Sequence, residues 1–394
     1  MTLAVYAYVD LLARNAFMTQ GQCSIEVARS LGCNRWEGFY KVALPMARPW
    51  IAGGIMLVLM ETLADFGTVA VFNYDTFTTA IYKAWFSMFS LTAASQLASL
   101  LVILAFVLIF LEQQFRSRMR FSETKKTQST PRIRLFGWRK WGVLSYILII
   151  LFFAFLLPVG QLAVWAVSSF SQDFDARYVD FLWHSLSLSA LSALLICMIA
   201  VLIVYSARRY SGRLMRLSVR ASTIGYALPG SVLAIGIFIP VAWLDGRLNE
   251  LVLKMFQVDV GLIMQGTLMT VLIAYLIRFM AVSHFPIDSA MHRVTRSIDE
   301  AAIGFGLSGW ALIRHVHFPI LKSGIFTAAT LVFIDVMKEM PITLMTRPFG
   351  WDTLAVRIFE MTSEGEWEQA ALPSLTLILA GLVPIIFFMR QTEK

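Results

Sequence analysis

The chain has 394 residues, of which 58% are hydrophobic and only 15% charged, with 30 Phe and 11 Trp. A soluble domain carries about 25% charged residues, so this composition excludes an ordinary soluble enzyme or binding module and calls for a chain that lives in a membrane. The net charge of +8 would suit nucleic acid, but in a membrane chain Lys and Arg collect in cytoplasmic loops; they do so here, and no nucleic-acid partner is implied.

In chain order, residues 1–20 contain Asp10, Arg14 and Asn15 and lack the clean apolar core and small-residue cleavage site of a signal peptide. A hydrophilic stretch follows, EVARSLGCNRWEGFYKVALP, from Glu26 to Pro45. Its first helix, bearing Glu26 and Ala28, is expected to stop at Gly32, a residue suited to a left-handed cap. Asn34 then caps a short second helix, with Glu37 three residues on as in a capping box. Trp36 and Phe39, at i and i+3, fall on one face of that helix. Pro45 stands in the first turn of a membrane helix, where a missing N–H is tolerated. Apolar stretches of about 20 residues, enough to span a bilayer, come next at 51–72 and 91–111. Cys23, Cys33 and Cys197 show no pairing pattern, so no disulfide framework is expected.

Residues 112–140 carry Arg116, Arg118, Arg120, Lys125, Lys126, Arg132, Arg134, Arg139 and Lys140 with little apolar periodicity, and read as a linker. The predicted organisation is a partial first domain at 1–112, a basic cytoplasmic linker at 113–140 and a complete second domain at 141–394. The second domain holds six apolar stretches, at 143–168, 183–207, 221–244, 261–283, 323–345 and 370–389, making eight spans in an all-α polytopic protein. The loop 208–220, with five Arg and no acid, belongs inside with the linker; the acidic or mixed loops 169–182, 245–260 and 346–369 belong outside.

Between the fourth and fifth of those spans the chain reads EAAIGFGLSGWALIRHVHFP, Glu300 to Pro319. Glu300, Ala302, Gly306, Trp310 and Pro319 each stand 274 residues after Glu26, Ala28, Gly32, Trp36 and Pro45. The second copy repeats the corner with Gly306 as stop and Ser308 as cap. Charge threading puts both copies inside. At the same offset Met1 falls on Tyr275, within the fourth span of the second half, so the first half is expected to lack four helices and its start reads as truncated. A rigid apolar knob on a cytoplasmic loop, made twice, implies a partner with two matching grooves. The alternative is a pair of interfacial helices packing on their own bundle with Trp at headgroup level; the shared spacing favours the first.

Glu61 and Asp65 stand at i and i+4 after the first copy, and Asp335 and Glu339 occupy the matching positions. A charge at the bilayer centre costs roughly 2.5–3.5 kcal/mol, so four carboxylates need a reason. Counting about 1.5 Å per residue from Pro45 or Pro319 puts them toward the outer mouth. They either line a gate, where oxygen ligands or negative potential suit a cation, or hold helices together through partners such as Lys338 and Thr62.

The histidines His184, His284, His292, His315 and His317 form no ligand set; His315 and His317, alternate residues in the second loop, read as surface histidines. No Walker A pattern occurs, so the chain is not its own ATPase, and no His-Glu-x-x-His or haem-spaced His pair provides an enzyme site. No catalytic residue, metal ligand or cofactor is assigned. A passive channel or membrane scaffold is the reading from another class.

The pattern Glu-x-Ala-x3-Gly-x9-Val-x-Leu/Phe-Pro resembles the EAA loop of binding-protein-dependent ABC importer permeases, with Val27 a mild departure from the name, and the resemblance covers nearly the whole chain. It implies a type I permease fold, with a partial first repeat and a complete six-helix second repeat, in the bacterial inner membrane. In that family the loop's short helix docks in a cleft of the cytoplasmic ATPase. Carried over by position, Glu26, Ala28, Gly32, Trp36 and Pro45, with Glu300, Ala302, Gly306, Trp310 and Pro319, would form two docking sites on an ABC ATPase dimer, which binds the ATP. An extracytoplasmic substrate-binding protein would deliver cargo. The segments METLADFGTVAVFNYDTFTTAIYKAW (60–85), GYALPGSVLAIGIFIP (225–240) and DVMKEMPITLMTRPFGWDTLAVRIFEM (335–361) are similar to fused two-domain permeases of ferric-iron importers, whose relatives move thiamine, phosphonates or polyamines.

Overall fold

The computed structural model describes residues 2–19, 28–30, 32–117, 136–173, 176–210 and 212–392. Glu26, Val27, Cys23 and the middle of the basic linker lie outside the described residues, as does the side chain of Trp310. Among the described residues the chain is helical, without a strand. Helix α1 (Thr2–Thr19) precedes the first loop; there α2 (Arg35–Gly38) runs through a π-helical turn, Phe39–Ala43, into α3 (Leu44–Ala64). Short α4 (Gly67–Val71) and α5 (Phe77–Tyr82) lead to long α6 (Leu91–Ser117). Then come α7 (Trp138–Leu151), α8 (Leu157–Asp173), α9 (Ala176–Arg209), α10 (Arg213–Thr223), α11 (Gly230–Phe256) and α12 (Leu268–Met291). The second loop holds α13 (Arg296–Gly304), α14 (Trp310–Leu312) and a π-helical turn, Ile313–His317, leading into α15 (Phe318–Met337). Helices α16 (Pro341–Thr346), α17 (Leu354–Glu364) and α18 (Ala371–Thr392) follow.

Seven helical stretches are long and apolar enough to cross a membrane among the described residues, and the eighth expected span lies on α18, whose described apolar stretch, Ala371–Ile386, is shorter. Three expected boundaries move, each for a local reason. The span expected at 323–345 ends at Met337, because Pro341 has no N–H for the Met337 carbonyl and in a continued helix its ring would crowd that oxygen. The span expected at 51–72 ends at Ala64, where Asp65 turns extended (φ −66°, ψ 129°). The stretch 221–244 is broken: α10 gives way to a 3-10 turn at Ile224–Ala227, Leu228 is extended before Pro229, and α11 starts afresh at Gly230.

The helices group into two compact units, residues 1–68 with 100–161, and residues 69–99 with 162–394. In the first, α1 packs along α3. Lipid tails give helices no hydrophobic reason to associate, so close packing of small residues does it instead: Ala16 and Ala47 are fully buried, and a Cβ added to Gly54 would stand 3.0 Å from the Val9 Cα. In the second unit α9, α12 and α15 pack on one another, as α1 does on α3, around Ile196, Val271, Ala274, Tyr275, Val332 and Ile342. A second cluster, including Val204, Ile287, Ala290, Leu321 and Ala328, continues this packing toward the second loop.

Candidate functional site

The two hydrophilic loops share one backbone design. In the first, Gly32 adopts φ +87°, Cys33 N–H donates to the Ala28 carbonyl at 3.0 Å, and Gly32 N–H donates to Arg29 at 3.0 Å. In the second, Gly306 adopts φ +81°, Leu307 N–H donates to Ala302 at 3.0 Å, and Gly306 N–H donates to Ile303 at 2.9 Å. Both are Schellman caps, in which a left-handed glycine lets the chain turn back onto the carbonyls the helix leaves open. The cap alanines face inward, Ala28 being 3% and Ala302 7% exposed. Each loop then widens into a five-residue π-helical turn before its proline: Leu44 N–H reaches the Phe39 carbonyl, and Phe318 N–H reaches Ile313. Pro45 and Pro319 cannot donate, and their rings would crowd the carbonyl four residues back; widening the turn just before each proline accommodates both.

Side chains dress the two copies differently. Asn34 and Glu37 form the expected capping box: Glu37 N–H donates to Asn34 Oδ1 at 2.9 Å and Asn34 N–H to Glu37 Oε2 at 3.0 Å. Glu37 also pairs with exposed Lys41 at 3.1 Å. Trp36 and Phe39 are both exposed and both contact the Tyr40 ring. Trp36, 71% exposed, stacks on Tyr40, and Phe39, itself 37% exposed, meets Tyr40 edge-on at 5.2 Å and stacks on Phe17 of α1 at 6.0 Å between centroids. In the second copy Glu300 is exposed, and the outward apolar residues are Ile303 and Phe305, 57% and 87% exposed.

Tertiary contacts hold the second loop. Arg208, at the end of α9, donates to the Asp299 carboxylate at 2.5 Å and to the Met291 and Val294 carbonyls where α12 ends. His317 Nε2–H donates to the other Asp299 oxygen at 2.8 Å. His317 is therefore no surface residue: it is 3% exposed, whereas His315 is exposed and bonds only its own helical turn. Partial burial by itself would raise the Asp299 carboxyl, but the hydrogen bonds from His317 and Arg208, with the Arg208 charge, hold it below its ordinary value. One carboxylate beside Glu300 thus ties α13 to α9, α12 and the start of α15. Spacing could not reveal it, since Arg208 and Asp299 lie 91 residues apart.

The intramembrane carboxylates do not form two matched pairs on helix faces. Because α15 stops at Met337, Asp335 and Glu339 take separate partners. Asp335 pairs with Lys338 at 2.9 Å, while Glu339, 6% exposed, faces Arg278 of α12 at 3.4 Å and accepts the Ile342 N–H of α16 at 3.2 Å. Gly230 closes over that pair: a Cβ there would stand 2.6 Å from Arg278 Nη1 and 2.7 Å from Glu339 Oε1. In the first copy Asp65 accepts the Thr68 hydroxyl at 3.1 Å, Glu61 is exposed, and Thr62 bonds the Val58 carbonyl. Glu339 is thus neutralised and caps a helix start. A cavity of about 470 Å³ opens elsewhere in the second unit, lined by Arg177, Tyr178, Asp180, His184, Asp352 and Arg357 among others. Beside it Arg347 bridges Asp352 and Glu360, and the His184 ring stacks on Trp351 at 3.9 Å.

The fold is that of an ABC transporter permease. A chain from a crystal structure titled as a bacterial alginate ABC transporter, in complex with alginate pentasaccharide-bound periplasmic protein, superposes with a TM-score of 0.51 over 64% of this chain and 93% of that one, at 18% identity. The family described as binding-protein-dependent transport system inner membrane component matches residues 1–121 and 199–393, and the chain belongs to it. It is similar to the Fe(3+)-transport system permease protein FbpB 2 of Haemophilus influenzae, at 25% identity over 94% of this chain and 71% of that protein. The ferric transport system permease protein FbpB of Actinobacillus pleuropneumoniae is 22% identical over 92% of this chain and 53% of its own length. A putative 2-aminoethylphosphonate transport system permease protein, PhnV of Salmonella typhimurium, is 27% identical over 64% of this chain and 92% of its own. The protein is a multi-pass membrane permease component, not an enzyme in its own right.

Proposed function

We propose that this chain is a pathway-forming permease of an ATP-driven importer in the bacterial inner membrane, carrying iron(III), and that its two loops seat a cytoplasmic ABC ATPase dimer. The observation that carries the reading is the duplicated Schellman-cap and π-turn loop at a 274-residue offset. The similarity to a ferric permease along 94% of the chain supports the cargo. The docking residues are Glu26, Ala28, Gly32, Trp36 and Pro45, and Glu300, Ala302, Gly306, Trp310 and Pro319. The partner binds and hydrolyses ATP; this chain supplies the levers. When the ATPase closes, a push on α13 reaches α9, α12 and α15 together through Asp299, Arg208 and His317, so the spans move as a block. An extracytoplasmic binding protein hands over cargo at the outer mouth. In this reading Glu339 positions α16 and the neighbouring α12 rather than coordinating the ion, because Arg278 already neutralises it; Asp335, Glu61 and Asp65 remain gate candidates. The PhnV similarity favours a second cargo, a phosphonate.

Cells expressing the permease with its ATPase and binding protein are to be assayed for uptake of radiolabelled ferric iron and of 2-aminoethylphosphonate. Iron uptake is expected, lost with Gly306→Val together with ATPase co-purification. Uptake of the phosphonate alone retires the ferric assignment, and co-purification that survives Gly306→Val and Gly32→Val retires the docking role.

A further inference from the structure

The arginine-rich segment expected to be a plain cytoplasmic loop is a helix with a two-sided outer surface. Met215, Val219 and Ser222 of α10 turn inward, and the helix packs on α12 and α9. Outward stand two adjacent rows. Arg213, Arg216 and Arg220, three and four residues apart, form one, all exposed. Leu214 and Leu217, at 78% and 63% exposure, form the other, and Ile224, 44% exposed, continues it into the 3-10 turn. The stretch 208–223 contains no acid, and among the described residues none of the three arginines pairs with a carboxylate.

Depth separates the candidate occupants. Two residues past α10, Gly225 lies against the Ile277 carbonyl: a Cβ there would stand 2.1 Å from that oxygen. Ile277 is well inside the spanning helix α12, whereas α10 begins just after the end of α9. The helix therefore climbs along α12 from one end of the bundle to intramembrane depth, rather than projecting from it. On the topology argued from the basic loops, that end is cytoplasmic and α10 lies in the inner leaflet. A soluble protein docking there would cover Arg213 but could not follow the helix upward. A water-filled passage would meet the arginines but leave Leu214, Leu217 and Ile224 wet. A phospholipid satisfies both rows at once, acyl chains against the leucines and phosphate against guanidinium groups that reach toward the headgroups along their own alkyl stems.

We propose that α10 is a binding site for anionic phospholipid of the cytoplasmic leaflet, with the Arg213, Arg216 and Arg220 row holding the phosphodiester and the neighbouring leucines its acyl chains. The proposal goes beyond the transport reading and uses its topology only. The test embeds the permease with its ATPase in nanodiscs of mixed phosphatidylglycerol and phosphatidylcholine, extracts it in mild detergent at low salt, and measures the co-purified lipid ratio by mass spectrometry. The wild-type chain is expected to retain phosphatidylglycerol above the bulk ratio. The R213Q/R216Q/R220Q variant is expected to fall at least about fivefold in that ratio, the factor that one basic residue's attraction to an anionic surface contributes. R213K/R216K/R220K keeps most of the preference, which separates loss of charge from misfolding. A wild-type ratio equal to bulk, or a glutamine variant matching wild type, overturns the proposal. So does a glutamine variant that keeps the lipid ratio but loses ATPase co-purification or uptake of an anionic solute, since the row would then serve a protein or the cargo. Failure of the lipid result leaves iron uptake and ATPase docking untouched, so the two readings fail separately.

Discussion

The two copies of the repeat share a backbone and differ in what anchors it. At the 274-residue offset, Asp299 and His317 of the second copy correspond to Ile25 and Ala43 of the first, and Arg278 and Glu339 correspond to Ala4 and Asp65. The glycine cap, the π-helical turn and the proline recur, while among the described residues the buried or half-buried ties Arg208–Asp299–His317 and Arg278–Glu339 belong to the second copy. Backbone conformation is set by a few residues with special steric needs, so it survives wide divergence. A buried charge needs its partner in place, so a charged tie is kept or lost as a set. Among the described residues, the second copy is the one tied to its neighbouring helices by buried or half-buried charges.

The largest test of that asymmetry lies at the membrane corner. Removing the Glu339 charge leaves the Arg278 guanidinium buried without a counterion, and breaking such a pair costs about 3–5 kcal/mol. Glu339→Gln is expected to lower the melting temperature of the purified complex by several degrees, and a further Arg278→Met change to restore much of it. Asp65→Asn, which keeps an acceptor for the Thr68 hydroxyl, should cost less than about 1 kcal/mol. Should Glu339→Gln melt like the wild type yet abolish uptake, Glu339 belongs to the gate and not to the scaffold.

Next in size is the tie at α13. Asp299→Asn weakens hydrogen bonds to a charged partner, worth about 1.5–3 kcal/mol each. ATP hydrolysis should continue while uptake per ATP falls. Loss of ATPase binding along with uptake would instead make Asp299 part of the docking surface. Because the folded Asp299 carboxyl lies below its ordinary value, its stabilisation is complete at neutral pH and disappears only as pH falls below about 4. Acid inactivation attributable to this group therefore belongs to that range and is absent from Asp299→Asn.

The glycine caps should respond alike. A Cβ at a left-handed position costs about 1–2 kcal/mol, and neither Gly32 nor Gly306 has an atom within 4 Å that would add a clash. Gly32→Ala and Gly306→Ala are expected to weaken ATPase co-purification by similar factors, roughly thirtyfold or less, since about 1.4 kcal/mol is tenfold. A large disparity would mean that the two loops do not load the partner equally.

Local steric signals were legible in the sequence for the same reason that they are duplicated. Gly32, Gly306, Pro45, Pro319 and the Asn34–Glu37 box act over fewer than six residues, and a spacing argument captures them. The π-helical turns follow from the same prolines but need the carbonyl geometry four residues back. Hydropathy counting located the spans and misjudged their ends, because an apolar window does not register that Pro341 or Pro229 interrupts a helix. It also hid α10, whose arginines dilute the apolar signal. The expected face shared by Asp335 and Glu339 failed because it assumed a helix that Pro341 had already ended. What was not legible is long-range: no periodicity links Arg208 to Asp299 or Arg278 to Glu339, and His317 looks like any loop histidine until the carboxylate beside it is placed.

The smallest expected effect sharpens the contrast most. Lys41 and Glu37 of the first loop form an exposed i,i+4 ion pair, 3.1 Å long, with side chains 66% and 43% accessible. Water and salt screen such a pair, and its net worth is close to nothing measurable. Lys41→Gln should leave uptake, ATPase co-purification and melting temperature within error of wild type, because the Asn34–Glu37 box and the Gly32 cap hold the turn without it. Asp299→Asn in the second loop weakens a tie that is likewise carboxylate to cation, so the difference between them isolates burial and tertiary reach from the mere presence of an ion pair. If Lys41→Gln instead impairs co-purification as strongly as Asp299→Asn, Lys41 meets the ATPase directly, and the first loop grips its partner through charge where the second relies on stiffness.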